Sequence, residues 1–288
     1  MSRHLAVSGN RYQQGHLRQV ERMLRVLAGV GFTLDIHFDF YDYLAGTPLQ
    51  FPPGTVRVEK LPAEAEAVIS VGGDGTFLHT AAWVGESGIP IVGINTGHLG
   101  YLAHFGIEDI DALAGSLVEK NLARQERMLL QLNVVDDTSR PPLFALNEIA
   151  ILKDDTSSMI EARTHVGNDF LADYRADGLI IATATGSTGY NMSAGGPLMQ
   201  PTLDTIILTP IAPHSLTLRP LVLDGNSVIT AVTDSRSGRY RVSVDGDSFT
   251  LPAGTAICIS RAPHPITLLV RPDCDFSFTL RRKLGWAL

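Results

Sequence analysis

The stretch Val68-Ile69-Ser70-Val71-Gly72-Gly73-Asp74-Gly75-Thr76 constrains the fold of this 288-residue chain more than any other. A short, mostly apolar run passes directly into three glycines, and residues of helical habit follow from about Phe77 to Gly85. A buried strand that ends in a glycine turn and feeds a helix is the opening of a parallel βαβ unit. The same rhythm recurs on both sides of it. Leu5 to Ser8 reads as a strand closed by Gly9-Asn10, and Leu17, Val20, Leu24 and Leu27 recur at helical spacing before Gly29 and Gly31. Phe32, Leu34, Ile36, Phe38 and Phe40 alternate as the next strand. Ile89 to Ile94 is another apolar run, ending in the polar loop Asn95 to Gly100, and Ile110, Leu113, Leu117 and Val118 mark a further helix. Strands alternating with helices predict an α/β domain whose parallel sheet carries helices on both faces.

After about Arg124 the period changes. Leu129 to Val135, Leu143 to Leu152, Ile160 to Val166, Leu179 to Thr183, Ser227 to Thr233, Arg239 to Val244, Ala256 to Ser260 and Ile266 to Val270 read as strands. One helix is expected among them, from near Gly186 to Ala194. Short strands at close spacing predict a β-rich, β-sandwich-like domain. At roughly 150 residues per domain the length suggests two domains or one large one, and the change of period sets residues 1–125 apart from a β-rich part that begins at 126.

Composition narrows the function classes. Lys and Arg number 23 against 30 Asp and Glu, a formal net charge of −7, which lacks the basic footprint of a nucleic-acid binder. Cys258 and Cys274 make neither a disulfide framework nor a cysteine-based zinc site, and read as small buried hydrophobes. No run approaches about 20 apolar residues, and Met1 to Gly9 is not a secretory leader. A soluble, cytoplasmic protein without a membrane or nucleic-acid partner is expected.

The chemistry concentrates in three places. In the loop Gly72 to Thr76, glycines let the backbone approach a ligand and turn N–H groups towards an anion, and the following helix adds positive charge at its N-terminus. Such a loop suits a phosphate chain. Asp74 would repel phosphate unless it serves another purpose, whether holding a metal ion, taking a proton from an attacking hydroxyl, or simply capping the helix of a tight turn. The second place is Arg175-Ala176-Asp177-Gly178, an apolar strand, and then Thr183 to Pro197, where hydroxyls, glycines and Tyr190 crowd a strand-to-helix junction. Hydroxyls suit phosphate or ribose and Tyr190 suits a base, although a Ser/Thr-capped, closely packed helix would have the same composition. The third is Asn147-Glu148, a polar pair inside an apolar run, which is costly to bury unless hydrogen-bonded within the fold or to a ligand. Walker-type GxxxxGK[ST], early GxGxxG, HExxH and G-x-S-x-G patterns are all missing. The nine histidines are scattered rather than spaced as ligands, and no metal-ligand set is assigned.

In the order GGDGT, NE, DGLIIATATGSTGYNMSAGGP and TPIAPHSLTLRPLVL, these elements closely resemble the bacterial NAD kinases, from about Ala67 to Lys283-Leu284-Gly285-Trp286. The resemblance implies a phosphofructokinase-like α/β domain over residues 1–125 followed by a β-rich NAD-binding domain over residues 126–265, with residues 266–288 returning to the first. It implies ATP-dependent phosphorylation of the 2′-hydroxyl of the adenosine ribose of NAD, giving NADP. It makes Asp74 the catalytic base, with Gly72, Gly73, Gly75 and Thr76 as the phosphate loop and Gly75 adjoining the nucleotide. NAD contacts are implied at Asn147, Glu148 and Asp177, and at Thr185, Thr188, Gly189, Tyr190, Asn191, Met192 and Ser193. Contacts of lower rank are His79, Arg175, Ala212 and Asp247. Gly189 departs from the pattern, since most members have alanine there. A divalent cation, Mg²⁺ by analogy with other phosphotransferases, is expected with ATP as donor, and the sparse lysines, with Lys60 and Lys153 outside the motifs, fit such a donor site. Polyphosphate is an alternative donor, and a homodimer or homotetramer is implied. The competing readings are a sugar-phosphate or lipid kinase sharing the GGDGT loop, and a non-catalytic NAD(P) sensor.

Overall fold

Strands covered on both faces are apolar throughout, and those covered on one face alternate; the parallel sheet of this chain shows the first habit, and its antiparallel sheets show both. The computed structural model describes residues 3–97, 100–155, 158–273 and 275–286. They fall into one unit of Met1–Glu126 with Ile266–Leu288 and a second of Arg127–Pro265.

The first unit contains β1 (Arg3–Gly9), β2 (Phe32–His37), β3 (Val56–Val58), β4 (Ala65–Val71), β5 (Ile91–Asn95), β6 (Phe105–Gly106) and β7 (Ala123–Arg127). The sheet runs β3-β2-β1-β4-β5, then the returning strand Ile266–Val270, then β7, with β6 beside β5. The β1–β2, β1–β4, β2–β3, β4–β5 and β5–β6 pairs, and that of the returning strand with β5, are parallel. Its α-helices are α1 (Leu17–Gly29), α2 (Phe38–Ala45), α3 (Asp74–Val84), α4 (Ile110–Glu119) and, after the returning strand, the C-terminal helix Phe276–Leu284. On one face Leu5, Val7, Ile69, Val71, Val92 and Ile94 pack with Val20, Met23, Leu24 and Leu27 of α1 and with Leu113 of α4. On the other lies α3, where Thr80 donates its hydroxyl to Ser70 Oγ at 2.9 Å and Phe77 packs on Gly93 so closely that a Cβ there would sit 3.1 Å from the ring. Strand order reverses between β1 and β4, because β1 leads to β2 on one side and β4 to β5 on the other. At such a reversal the loops leaving the carboxyl ends of the two strands diverge and open a crevice.

The alternation from Phe32 to Phe40 is not one strand. The strand ends at His37 and α2 begins at Phe38, burying Phe40 and Leu44 four residues apart on one helical face. Over so short a stretch, residues at even spacing fit a strand and the start of an i, i+4 helical stripe equally well.

The second unit is two antiparallel six-stranded sheets. Its strands are β8 (Leu130–Val134), β9 (Leu143–Ala145), β10 (Glu148–Lys153), β11 (Ile160–Val166), β12 (Asp169–Ala176), β13 (Gly178–Thr183), β14 (Thr205–Ile211), β15 (Leu221–Asp224), β16 (Ile229–Ser235), β17 (Arg239–Val244), β18 (Asp247–Pro252) and β19 (Ala256–Arg261). One sheet runs β15-β14-β13-β10-β17-β18 and the other β12-β11-β16-β19-β8-β9. Ile149, Ile151, Leu179, Ile181 and Val242 of the first meet Leu130, Leu132, Ile229, Ile257 and Ile259 of the second in a shared core. The first sheet is covered on its other face too, where Ala150, Ile180, Ala182 and Ile207 pack with Ala194 and Met199. That is why β13 is buried from end to end, while β11, β16 and β19 alternate.

The expected helix from Gly186 to Ala194 is two pieces, a 3₁₀ segment Thr185–Thr188 and a single α turn, α5 (Tyr190–Ser193), parted at Gly189. The expected strand Leu143 to Leu152 is likewise parted, at Leu146-Asn147. Cys258 is half-buried on β19 rather than fully buried; Cys274 and His98 lie outside the described residues. No described helix is long and apolar enough to cross a membrane.

Candidate active site

At the carboxyl end of β4, Gly72 has φ +150 and is buried, so close to its neighbours that a Cβ would lie 2.4 Å from Thr76 Oγ1 and 2.9 Å from Asn10 Nδ2. Only glycine lets the chain turn here. Gly73 and Gly75 are exposed, and a Cβ on either would meet nothing within 4 Å, leaving backbone open to a ligand. Asp74 opens α3 and is half-exposed, at the end of the helix where negative charge is favoured. Its Oδ2 accepts the Tyr101 N–H at 2.9 Å and its Oδ1 the Leu102 N–H at 3.0 Å. Gly100 makes this possible, because a Cβ there would fall 2.0 Å from Asp74 Oδ1. The carboxylate is thereby fixed in rotation, while each oxygen retains a further acceptor position. Burial and the Asp74 charge together push the Tyr101 phenol above its ordinary range.

The loop is also tied to the end of β1. Asn10 Nδ2 donates to Thr76 Oγ1 at 2.7 Å, and Gln13, 1 % exposed, donates from Nε2 to Asn10 Oδ1 at 3.0 Å and to the Val71 carbonyl at 3.3 Å. Farther along the same sheet edge, a cavity of about 500 Å³ lies beyond β5, lined by Asn95, Glu108, Arg271, Asp273 and Arg282 among others.

In the second unit the parted strand at Asn147-Glu148 is held by a residue that sequence reasoning missed. Asp245 collects three backbone N–H groups: Leu146 at 2.6 Å, Asn147 at 2.9 Å and Glu148 at 3.0 Å. It can do so because it heads the two-residue turn joining β17 to β18, with φ +48 followed by Gly246 at φ +100. Successive positive φ values are the signature of the hairpin turn that an Asp-Gly pair favours, so Asp245-Gly246 after Arg239 to Val244 was the available signal. Burial raises the Asp245 pKa against the opposing pull of those three N–H groups. The Glu148 pKa is raised as well, to about 7, by burial first and by the Asp245 charge second, with the Tyr190 N–H pulling the other way. Its Oε2 is buried without a hydrogen-bond partner among the described residues.

The glycine–hydroxyl segment closes over this pair. A Cβ at Gly186 would lie 2.1 Å from the Asn147 carbonyl oxygen, and one at Gly189 would lie 2.9 Å from Glu148 Oε2 and 3.4 Å from Asn147 Nδ2. Asn147, Glu148, Gly189 and Tyr190 are therefore brought together, with the Tyr190 side chain exposed. Thr188 and Met192 are half-buried and Ser193 exposed on the same segment. Thr185 is buried, its hydroxyl donating to the Pro201 carbonyl at 3.3 Å. Asn191 is not presented to a ligand. It is fully buried, donating to the Ser187 and Pro197 carbonyls and accepting the Thr209 hydroxyl at 2.6 Å, so it holds the segment's shape.

Of the remaining candidates, Arg175, Asp177 and Ala212 lie together, the Asp177 N–H donating to the Ile211 carbonyl at 3.0 Å and the His214 N–H to the Arg175 carbonyl at 2.9 Å. Asp177, between β12 and β13, accepts from Lys153 Nζ at 2.8 Å, which puts Lys153 on the DGL motif rather than outside it. Arg175 is exposed and paired with Glu161 at 2.9 Å. Ala212 follows β14 in the left-handed region at φ +45, and Asp247 is exposed beyond the Asp245 turn. His79 is exposed on α3.

Residues 55–122 match the family model of the ATP-NAD kinase N-terminal domain and residues 146–270 that of the ATP-NAD kinase C-terminal domain. The chain is 40% identical over 283 residues to an NAD kinase of Porphyromonas gingivalis, covering 98% of this chain and 97% of that one. It is 40% identical over 281 residues to an NAD kinase of Bacteroides fragilis, with the same coverage. Among solved structures, an NAD kinase from Archaeoglobus fulgidus in complex with ATP superposes with a TM-score of 0.73 at 27% identity, over 98% of this chain and 97% of that one. A yeast NADH kinase complexed with NADH gives 0.86 at 22% identity, over 99% and 88%, a likeness of fold alone. The chain belongs to the ATP-NAD kinase family.

Proposed function

We propose that this chain transfers the terminal phosphoryl group of ATP to the 2′-hydroxyl of the adenosine ribose of NAD, giving NADP, with Asp74 as general base. The observation that carries the reading is Asp74 at the head of α3, its carboxylate oriented by the Tyr101 and Leu102 N–H groups beside the exposed backbone of Gly73 and Gly75. Phosphoryl transfer asks for positioning and charge stabilisation more than covalent chemistry. The glycine loop and the N-terminus of α3 would face the donor phosphates, and Asp74 would accept the hydroxyl proton as the phosphoryl group arrives. In the second unit Asn147, Glu148 and the exposed Tyr190 would bind NAD, with Thr188, Met192 and Ser193 beside them. Arg175, Asp177 and Ala212, grouped at the ends of β12, β13 and β14, and Asp247 and His79 remain in the proposal as further contacts.

A divalent cation belongs to this reading as a companion of the donor. Among the described residues no three His, Cys, Asp or Glu side chains lie together as a metal cage, which suits an ion such as Mg²⁺ that keeps its waters and binds substrate phosphates with at most one or two carboxylates. Bound there, it would neutralise charge on the phosphates. Action in the cytoplasm, polyphosphate as the alternative donor to ATP, and assembly into dimers or tetramers complete the proposal, the last to be read by analytical ultracentrifugation. The direct test is incubation with NAD, ATP and Mg²⁺, with product read by a dehydrogenase specific for NADP. NADP is expected; dinucleotide binding without product would turn the reading to a sensor.

A further inference from the structure

We infer that Tyr12 is the platform on which the base of the phosphoryl donor stacks, an inference that rests on the kinase reading above. The parallel sheet of the first unit reverses its strand order between β1 and β4, and ligands of such sheets lie in the crevice outside the carboxyl ends of those two strands. Gly72 to Gly75 forms one bank of that crevice. The other bank is the loop after β1, Asn10 to Gln13, and the two strands end level, with Gly9 opposite Val71.

The β1 loop is bonded to the phosphate loop. Asn10 is shared three ways: its Nδ2 donates to Thr76, while its Oδ1 accepts the Tyr12 backbone N–H at 3.0 Å and the Gln13 amide at 3.0 Å. Gln13 is in turn buried and bonded to the Val71 carbonyl. Gly9 admits the Phe40 ring so closely that a Cβ would come within 2.6 Å of it. Tyr12 is thus tied at its backbone, two hydrogen bonds from the GGDGT loop, yet as a residue it is 89 % exposed, more than any other large hydrophobic among the described residues. A buried, hydrogen-bonded scaffold that presents an aromatic face to solvent beside a phosphate-binding loop is the arrangement that base stacking uses. Every base has a π-face, so this contact gives affinity for a nucleoside triphosphate over bare polyphosphate, with little choice among bases.

The test compares native protein with Tyr12→Ala and Tyr12→Phe, reading ATP binding directly by calorimetry, the KM for ATP and for NAD, and inhibition by inorganic tripolyphosphate against ATP. Loss of a base–aromatic stack typically weakens binding roughly 5- to 150-fold. Tyr12→Ala is expected to weaken ATP binding and raise its KM within that range, with the KM for NAD changed less than about twofold, and Tyr12→Phe to recover most of the loss. Tripolyphosphate, having no base, should inhibit the alanine variant as well as the native protein. ATP binding indifferent to Tyr12→Ala would overturn the inference alone. So would an equal loss for tripolyphosphate, which would make the loop a shaper of the phosphate cradle, or an ATP affinity that falls instead on Arg282→Ala in the cavity beyond β5. A native protein that bound no ATP would overturn this inference and the kinase reading together.

Discussion

Two carboxylates stand out in the candidate site, and their surroundings set them apart. Asp74 is half-exposed, with both oxygens accepting backbone N–H groups; Glu148 is buried, with one oxygen unpartnered among the described residues. General-base assistance is worth about 10²- to 10⁴-fold in rate, and Asp74→Asn should lower turnover by that much while steady-state fluorescence titration finds NAD affinity within a few-fold of native. The Glu148 pKa of about 7, against an ordinary value near 4.5, makes the folded state bind more protons than the unfolded one between those two pH values. Stability must therefore fall as pH rises across that window, by about 3 kcal/mol in all for this residue. Urea unfolding at pH 5 and pH 8 should show the fall in native protein and a smaller one in Glu148→Gln. If the charged form accepts a hydrogen bond from NAD, NAD affinity should rise through pH 7 in the native protein and stay flat in that variant.

Among elements, the instructive ones are those whose sequence pattern is ambiguous. Continuous apolar runs disclosed β4, β5 and β13, because burial on both faces leaves no room for polar residues. Edge strands such as β12 and β18 carry charged and exposed residues and gave no period to read. The GGDGT loop and the Asn147-Glu148 pair were legible because glycine and buried polar groups need a reason; Asp245 was not, since its role depends on a partner about a hundred residues away in sequence. The two glycines facing Asn147-Glu148 can be told apart by what a methyl group would strike. At Gly186 it strikes the backbone of Asn147, which cannot yield, and Gly186→Ala should cost about 1–3 kcal/mol in urea unfolding. At Gly189 it strikes the tip of the Glu148 side chain, which can swing, so Gly189→Ala should spare stability and change the KM for NAD.

For the molecule as a whole, chain order and spatial order differ in one place that matters. The returning strand Ile266–Val270 lies inside the first sheet, between β5 and β7, with Ile266, Leu268 and Val270 buried, so the first unit is not complete until the second has been made. Deleting residues 266–288 should abolish cooperative thermal unfolding of the first unit by circular dichroism, whereas deleting 276–288 keeps the strand and should leave the transition in place. Sequence alone disclosed the strand but not its neighbours, because parallel pairing over such a separation leaves no local trace. Everything proposed for the molecule turns on Asp74 serving a kinase that acts on NAD, and a paired assay decides it. NADP formation from NAD, ATP and Mg²⁺ is followed for the native chain and for Asp74→Asn at equal concentration. NADP made by the native protein and reduced at least about a hundredfold in the variant, with NAD binding retained, is the expected result; equal turnover by the two would refute it.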